Sequence, residues 1–182
     1  MIAELPTRLE INKTVYEIRS DYRAILDICI ALNDIELNGE EKALVALKIF
    51  YPELNTMPLE DYEEALKKCF WFIDWGEDYG NKPATKLVDW EQDFKYIVAP
   101  INKIIGKEVR SVDYMHWWTF LSAYMEIGDS TFQQIVAIRD KNSRHKPLEK
   151  HEREWYKRNK HLVDFKVRYT DEETELLNAW GV

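Results

Sequence analysis

Residues 58–75 read PLEDYEEALKKCFWFIDW, and the fold class turns on this stretch. Pro58 suits a first helical turn, and Glu60 and Asp61 follow where carboxylates favour the helix dipole. Tyr62, Ala65, Leu66, Cys69, Phe70 and Ile73 recur at helical spacing, so one apolar face runs the length of the segment. Trp71, Phe72 and Trp75 fall beside that face. The helix is therefore apolar nearly all round at its C-terminal end, and such an end is either buried on several sides or meets a partner. Trp71 and Trp75 are four residues apart, share a second face on this reading, and are candidate partner contacts.

Outward from there the same period recurs. On the N-terminal side, Ser20-Asp21 offers a cap and Ile25, Leu26, Cys29, Ile30 and Leu32 form a wide stripe. After Asn38-Gly39, Glu40 and Glu41 open a second helix, with Ala43, Leu44, Leu47 and Phe50 on one side and Pro52 ending it. The first residues differ: Leu9, Ile11, Tyr16 and Ile18 alternate around a polar break at Asn12-Lys13, which reads as a β-hairpin lacking the usual turn glycine. A lone hairpin is marginal in water, so its apolar face must pack on the helices.

On the C-terminal side, Gly76 to Pro83 reads as a loop. Trp90, Phe94, Ile97 and Val98 form a short helix that Pro100 interrupts, and Ile101, Ile104 and Ile105 add a last turn before Gly106. Trp117, Trp118, Leu121, Tyr124 and Met125 line a further helix. Neighbouring helical residues point about 100° apart, so Trp117 is expected in the core and Trp118 at its margin or at an interface. Ser130 caps a helix carrying Phe132, Ile135, Val136 and Ile138. The expectation is a mainly α chain of six to eight helices in a single domain over residues 1–168. The hairpin occupies about 1–19, a basic C-terminal helix about 147–160, and an acidic tail 169–182, which forms a short helix or frays. The expected core includes Ile25, Leu26, Cys29, Leu47, Leu66, Cys69, Trp117 and Leu121.

Composition narrows the function. The 182 residues are 46% hydrophobic and 32% charged, with seven Trp, which fits a folded chain with an aromatic-rich core. The net charge of −8 argues against a general nucleic-acid binder, because phosphate neutralisation needs cationic excess. The charge is uneven: residues 139–168 hold eleven Lys and Arg against five Asp and Glu. Arg139, Lys141, Arg144, Lys146, Lys150, Arg153, Lys157, Arg158 and Lys160 could track phosphates with Trp155 and Tyr156 for stacking. The interspersed acids favour a solvated helix that meets acidic protein instead, and the acidic body with its basic segment suits self-association. Glu149–Arg153 and Glu154–Arg158 have the spacing of helical ion pairs. Arg153, Trp155 and Trp118 join Trp71 and Trp75 as candidate partner-binding residues. Cys29 and Cys69 read as buried free thiols of a reducing compartment. Met1 to Glu10 has no signal-peptide pattern, and no uncharged stretch is long enough for a membrane span.

No catalytic, cofactor or metal motif emerges. His151-Glu152 has Trp155 where a zinc protease needs its second His. His116 reads as a core or interface histidine. Glu60, Asp61, Glu63 and Glu64 suit a solvated helix start, and Glu77, Asp78, Asp89, Glu91 and Asp93 lack calcium-loop spacing. No phosphate loop, dinucleotide loop or nucleophile elbow is present. The expected protein is therefore not an enzyme and takes no cofactor.

The hairpin LEINKTVYEI, the S-D-Y-R helix start at Ser20–Arg23, the stretch DYMHWWTF at Asp113–Phe120, Ile138-Arg139 and the basic run KPLEKHEREWYKRN together resemble a small protein family of siphophages infecting Gram-positive bacteria. That family is encoded near the tail tube and tape-measure genes and is regarded as tail assembly chaperones. The likeness runs from Leu5 to Asp164 and is most specific at His116–Phe120. It implies a non-enzymatic protein of the host bacterial cytoplasm, absent from the mature virion, that shields the tape-measure protein before the tail-tube protein polymerises. The alternatives are a structural tail component and a nucleic-acid-binding regulator using Arg139–Lys160.

Overall fold

The computed structural model describes residues 4–77 and 85–180. The chain is mainly α, with one two-stranded antiparallel hairpin at its N-terminal end. Its backbone contacts gather into two compact units. Of the described residues, 4–77, 114–121 and 168–180 form the first; 85–113 and 122–167 form the second.

In the first unit, β1 (Arg8–Ile11) pairs with β2 (Thr14–Glu17), and Leu9 lies opposite Tyr16. Asn12 and Lys13 both take positive φ, 44° and 73°, which is the backbone a two-residue hairpin turn with right-handed strand twist requires. Asn tolerates this region, and its Nδ2 is tied to Asp61 Oδ1 at 2.7 Å, so a turn without glycine is held from outside. Leu9, Ile11, Tyr16 and Ile18 are all buried, as the alternation requires.

The helices α1 (Tyr22–Leu32) and α2 (Gly39–Phe50) pack together, and α3 (Tyr62–Ile73) packs on α2 and β1. Asp21 caps α1, and Asn38 with Glu41 forms a reciprocal capping box on α2. The buried face of α1 is Tyr22, Ile25, Leu26 and Ile28. Cys29, expected in the core, is only half-buried, as are Leu66 and Leu121, whereas Tyr22, Phe50, Phe72 and Phe120 are fully buried. Tyr22 and Phe120 stack with ring centres 4.7 Å apart. Leu47, Cys69 and Trp117 are buried as expected.

The second unit contains α4 (Trp90–Ile105), α6 (Thr131–Ser143), α7 (Lys150–Arg158) and α8 (Lys160–Val163). Between them, α5 (Trp117–Met125) begins in the first unit and ends in the second. Pro100 does not end α4. Ile97, Val98 and Ile101 form one buried face on both sides of it, and that burial outweighs the single hydrogen bond proline forfeits. The expected basic helix over 147–160 is shorter and breaks at Asn159, which caps α7 and precedes α8. With α9 (Asp171–Trp180), the described residues form nine α-helices. Of the loop expected at Gly76–Pro83, the part from Asp78 to Pro83 lies outside the described residues.

Candidate functional site

The candidate residues are divided between the two units. Trp71, Trp75 and Trp118 belong to the first unit, Arg153 and Trp155 to the second.

The first group surrounds the end of α3. A helix leaves its last four carbonyls without intrahelical donors, and burying them unpaired is costly. Here all four are met. Asp74 N–H bonds to the Phe70 carbonyl at 2.9 Å and Gly76 N–H to the Trp71 carbonyl at 2.8 Å. Trp118 Nε1–H donates to the Phe72 carbonyl and Trp117 Nε1–H to the Ile73 carbonyl, each at 2.9 Å. The adjacent tryptophans of the H-W-W stretch are thus the cap of a helix more than forty residues earlier. Their different depths follow from the 100° between them: Trp117 is 2% exposed, and Trp118 is half-buried.

This geometry corrects the shared face assigned to Trp71 and Trp75. The helix ends at Ile73, and Trp75 lies beyond it with φ 61°, a region a bulky side chain rarely adopts. Trp71 turns toward Trp118, with ring centres 5.8 Å apart. Gly76, at φ 81°, closes the turn against those two rings: a Cβ there would stand 3.2 Å from Trp71 Cζ2 and 3.3 Å from Trp118 Cη2. Trp71 and Trp118 are therefore spent largely on each other. Phe70 and Trp75 keep 37% and 39% of their surface exposed.

His116 supports the same corner. It is 3% exposed, its Nδ1 accepts the Trp118 backbone N–H at 3.0 Å, and its Nε2 lies 3.0 Å from the Pro6 carbonyl. An Nδ1 that accepts fixes the proton on Nε2, which donates to Pro6. Burial depresses its basicity below the usual 6.5 despite the Pro6 carbonyl. The core reading of this histidine holds. Both cysteines are free, and burial pushes each thiol up to about 12, with Asp74 adding to the effect at Cys29 and Cys29 to that at Cys69.

In the second unit the basic segment is less available than its composition suggests. Arg139, placed among the phosphate-tracking cations, is buried. All five of its N–H donors are used. Two meet Asp93, Nη1 to Oδ2 at 2.5 Å and Nη2 to Oδ1 at 3.0 Å, and the others meet the carbonyls of Val163, Leu87 and Leu162 at 2.6, 3.0 and 3.1 Å. The guanidinium also lies over the Phe165 ring at 4.1 Å. Gln92 completes the arrangement: its Nε2 donates to the Asp164 carbonyl and its Oε1 accepts from Lys166 N–H. Two side chains therefore hold the 162–166 strap. Asp89, beside them, caps α4 through Gln92 N–H.

Other cations in the segment are engaged as well. Lys141 pairs with Glu152, whose carboxyl is held below its usual range by that bond, and Arg144 pairs with Asp140. The expected Glu149–Arg153 pair gives way: Arg153 Nη2 donates to the Leu148 carbonyl, and Glu149 faces His151 at 3.5 Å. No ion pair joins Glu154 to Arg158 among the described residues. Trp155, a candidate partner contact, packs half-buried on Ile135, Ile138 and Val163. Lys157, Arg158, Lys160 and His161 remain at the surface and, with Asp164, line an open cleft of about 420 Å³.

The Asp93–Arg139 pair escaped sequence reading, yet it left a signal. Trp90, Asp93, Phe94 and Ile97 stand at i, i+3, i+4 and i+7, so a carboxylate sits within an apolar stripe. A charge in that position needs a buried partner. Among the described residues, no group of three or more His, Cys, Asp or Glu is placed to hold a metal ion, and no helix is long and apolar enough to cross a membrane.

No curated protein and no solved structure matches the chain. A family model described as Bacteriophage Gp15 protein matches residues 1–165, nearly the whole chain. The chain belongs to the bacteriophage Gp15 protein family.

Proposed function

We propose that this phage protein is a non-enzymatic tail assembly chaperone that binds the tape-measure protein in the host cytoplasm and leaves before the virion is complete. The observation that carries the reading is the open apolar edge at the end of α3. Every carbonyl there is capped and Trp71 and Trp118 are packed, yet Phe70 and Trp75 stay more than one third exposed. Holding a tryptophan at positive φ costs free energy, of order 1–3 kcal/mol. A strained and exposed aromatic ring suits a contact made with another molecule. A tape-measure protein offers long apolar helical stripes, which aggregate unless covered. Modest contacts repeated along such a ligand permit release when tail-tube subunits compete for it.

Co-expression tests this. The tape-measure protein should be soluble and co-purify with the wild-type chain, and the Phe70→Ser, Trp75→Ser double variant should lose both effects while keeping its helical circular dichroism. A folded double variant that solubilises the tape-measure protein as well as wild type would overturn the assignment of the edge. The nucleic-acid alternative is weakened by the engagement of Arg139, Lys141 and Arg144 within the protein.

A further inference from the structure

We infer that copies of this chain associate head to tail, the acidic C-terminal helix of one docking on the basic α7–α8 surface of the next. The first observation is α9 itself. Among its ten residues only Leu177 is partly covered, while Leu176 and Trp180 are 57% and 77% exposed. Leu176, Leu177 and Trp180 stand at i, i+1 and i+4 and so form one apolar face. At its N-terminal end, Asp171 N–H donates to Glu36 Oε1 at 2.7 Å. A ten-residue helix is marginal alone in water, because its nucleation cost is recovered only by packing. An ordered helix with its apolar face open therefore calls for something to cover it.

Charge complementarity selects the occupant. Asp171, Glu172, Glu173 and Glu175 make α9 strongly acidic, and the helix has no Lys or Arg. The matching surface lies on the second unit of the same sequence, where Lys157, Arg158, Lys160 and His161 line the open cleft. Lys160 shares Asp164 at 3.8 Å, a weak exposed pair that a better acidic partner can replace. The aliphatic stems of those lysines and the half-exposed Leu162 offer apolar cover for Leu176 and Trp180. The two surfaces are different, so the contact is heterologous. It generates chains or rings, not a closed two-fold dimer.

Two measurements test this on the full chain. In the first, unlabelled and ¹⁵N-labelled protein are mixed and treated with a carbodiimide. Links of Lys157 or Lys160 to Glu172, Glu173 or Glu175 should appear at hybrid mass; links found only at pure-label masses would mean α9 folds onto its own chain and would overturn the inference. The second is sedimentation velocity. The wild-type coefficient should rise with concentration and fall back in high salt. A tail variant (Leu176→Ser, Trp180→Ser) and a cleft variant (Lys157→Glu, Arg158→Glu) should each be monomeric, and mixing them should restore one contact and give a 1:1 pair. A wild type that stays monomeric, or variants that do not complement, would overturn the proposal.

Discussion

Replacing Arg139 by methionine tests the second unit at its centre. The side chain is 4% exposed and that of its partner Asp93 0%, so the pair sits outside water. The substitution removes five donors at once. It leaves the Asp93 carboxylate buried without its countercharge and strips the carbonyls of Leu87, Leu162 and Val163 of a partner. Breaking a buried ion pair from one side costs roughly 3–5 kcal/mol, because the remaining charge stays desolvated. At about 2–4 °C per kcal/mol for a chain of this size, the melting temperature should fall by roughly 6–20 °C. Removing both charges is a different perturbation. The Asp93→Leu, Arg139→Met double variant leaves no buried ion, so it should melt above the Arg139→Met single, with a coupling of at least about 1 kcal/mol. Circular dichroism melts give the stabilities, and amide hydrogen exchange locates the loss. Exchange should accelerate first in residues 162–166, which Arg139 and Gln92 hold. A single variant melting within about 2 °C of wild type would refute the reasoning, as would a double variant whose loss is the sum of the two singles.

Further outcomes follow from the same geometry. His116 is depressed below its unfolded value, so the unfolded chain takes up a proton first as pH falls through about 6.5, and stability should drop from pH 7.5 to 5.5. His116→Gln should flatten that drop in urea titrations. Trp117→Ala should cost roughly 3–5 kcal/mol and unfold the first unit, whereas Trp117→Phe, which loses the cap on Ile73 but keeps most of the volume, should cost about 1–2 kcal/mol in the same melts. Gly76→Ala combines a positive φ with a Cβ 3.2 Å from Trp71, and should lower stability by about 1–2 kcal/mol and shift the tryptophan emission. Cys69, buried and with its thiol pushed up by that burial, should react with a thiol reagent at pH 8 only after denaturant is added, and half-buried Cys29 should react more slowly than a free thiol; fast labelling of Cys69 in the native protein would refute its burial.

Much of this fold is legible because its signals are local. Alternation placed Leu9, Ile11, Tyr16 and Ile18 on the buried side of the hairpin, and the caps at Asp21 and Ser130 stand where side-chain chemistry puts them. What was illegible is set by distant parts of the chain. Pro100 is a strong local breaker, yet α4 runs through it because both flanks bury the same face. Periodicity gave Trp71 and Trp75 a common side only on the assumption that the helix continued; Gly76, together with indoles from residues 117 and 118, ends it first. Counting cations made Arg139 look like part of a basic surface. Its burial depends on Asp93, forty-six positions away, and no window along the sequence contains both.

The stretch most diagnostic of the resemblance, His116–Phe120, does structural work at nearly every position. His116 bonds Pro6 and the Trp118 amide, Trp117 and Trp118 cap α3, and Phe120 stacks on Tyr22. Altering it damages the fold and tells little about activity. These residues therefore secure an architecture, and the function must be sought where folding makes less demand. Phe70, Trp75, Leu176 and Trp180 are such places, since each leaves more than a third of a large apolar side chain in water. Burial of those groups in the protein would stabilise it, at about 25 cal/mol per Å² of apolar surface, so their exposure is unexplained by stability alone. Substitutions at Leu176 and Trp180 should leave melting temperatures nearly unchanged, and those at Phe70 and Trp75 should lower them less than changes in the H-W-W stretch, while altering what the protein binds. Changes in the H-W-W stretch should do the reverse, lowering stability and binding together.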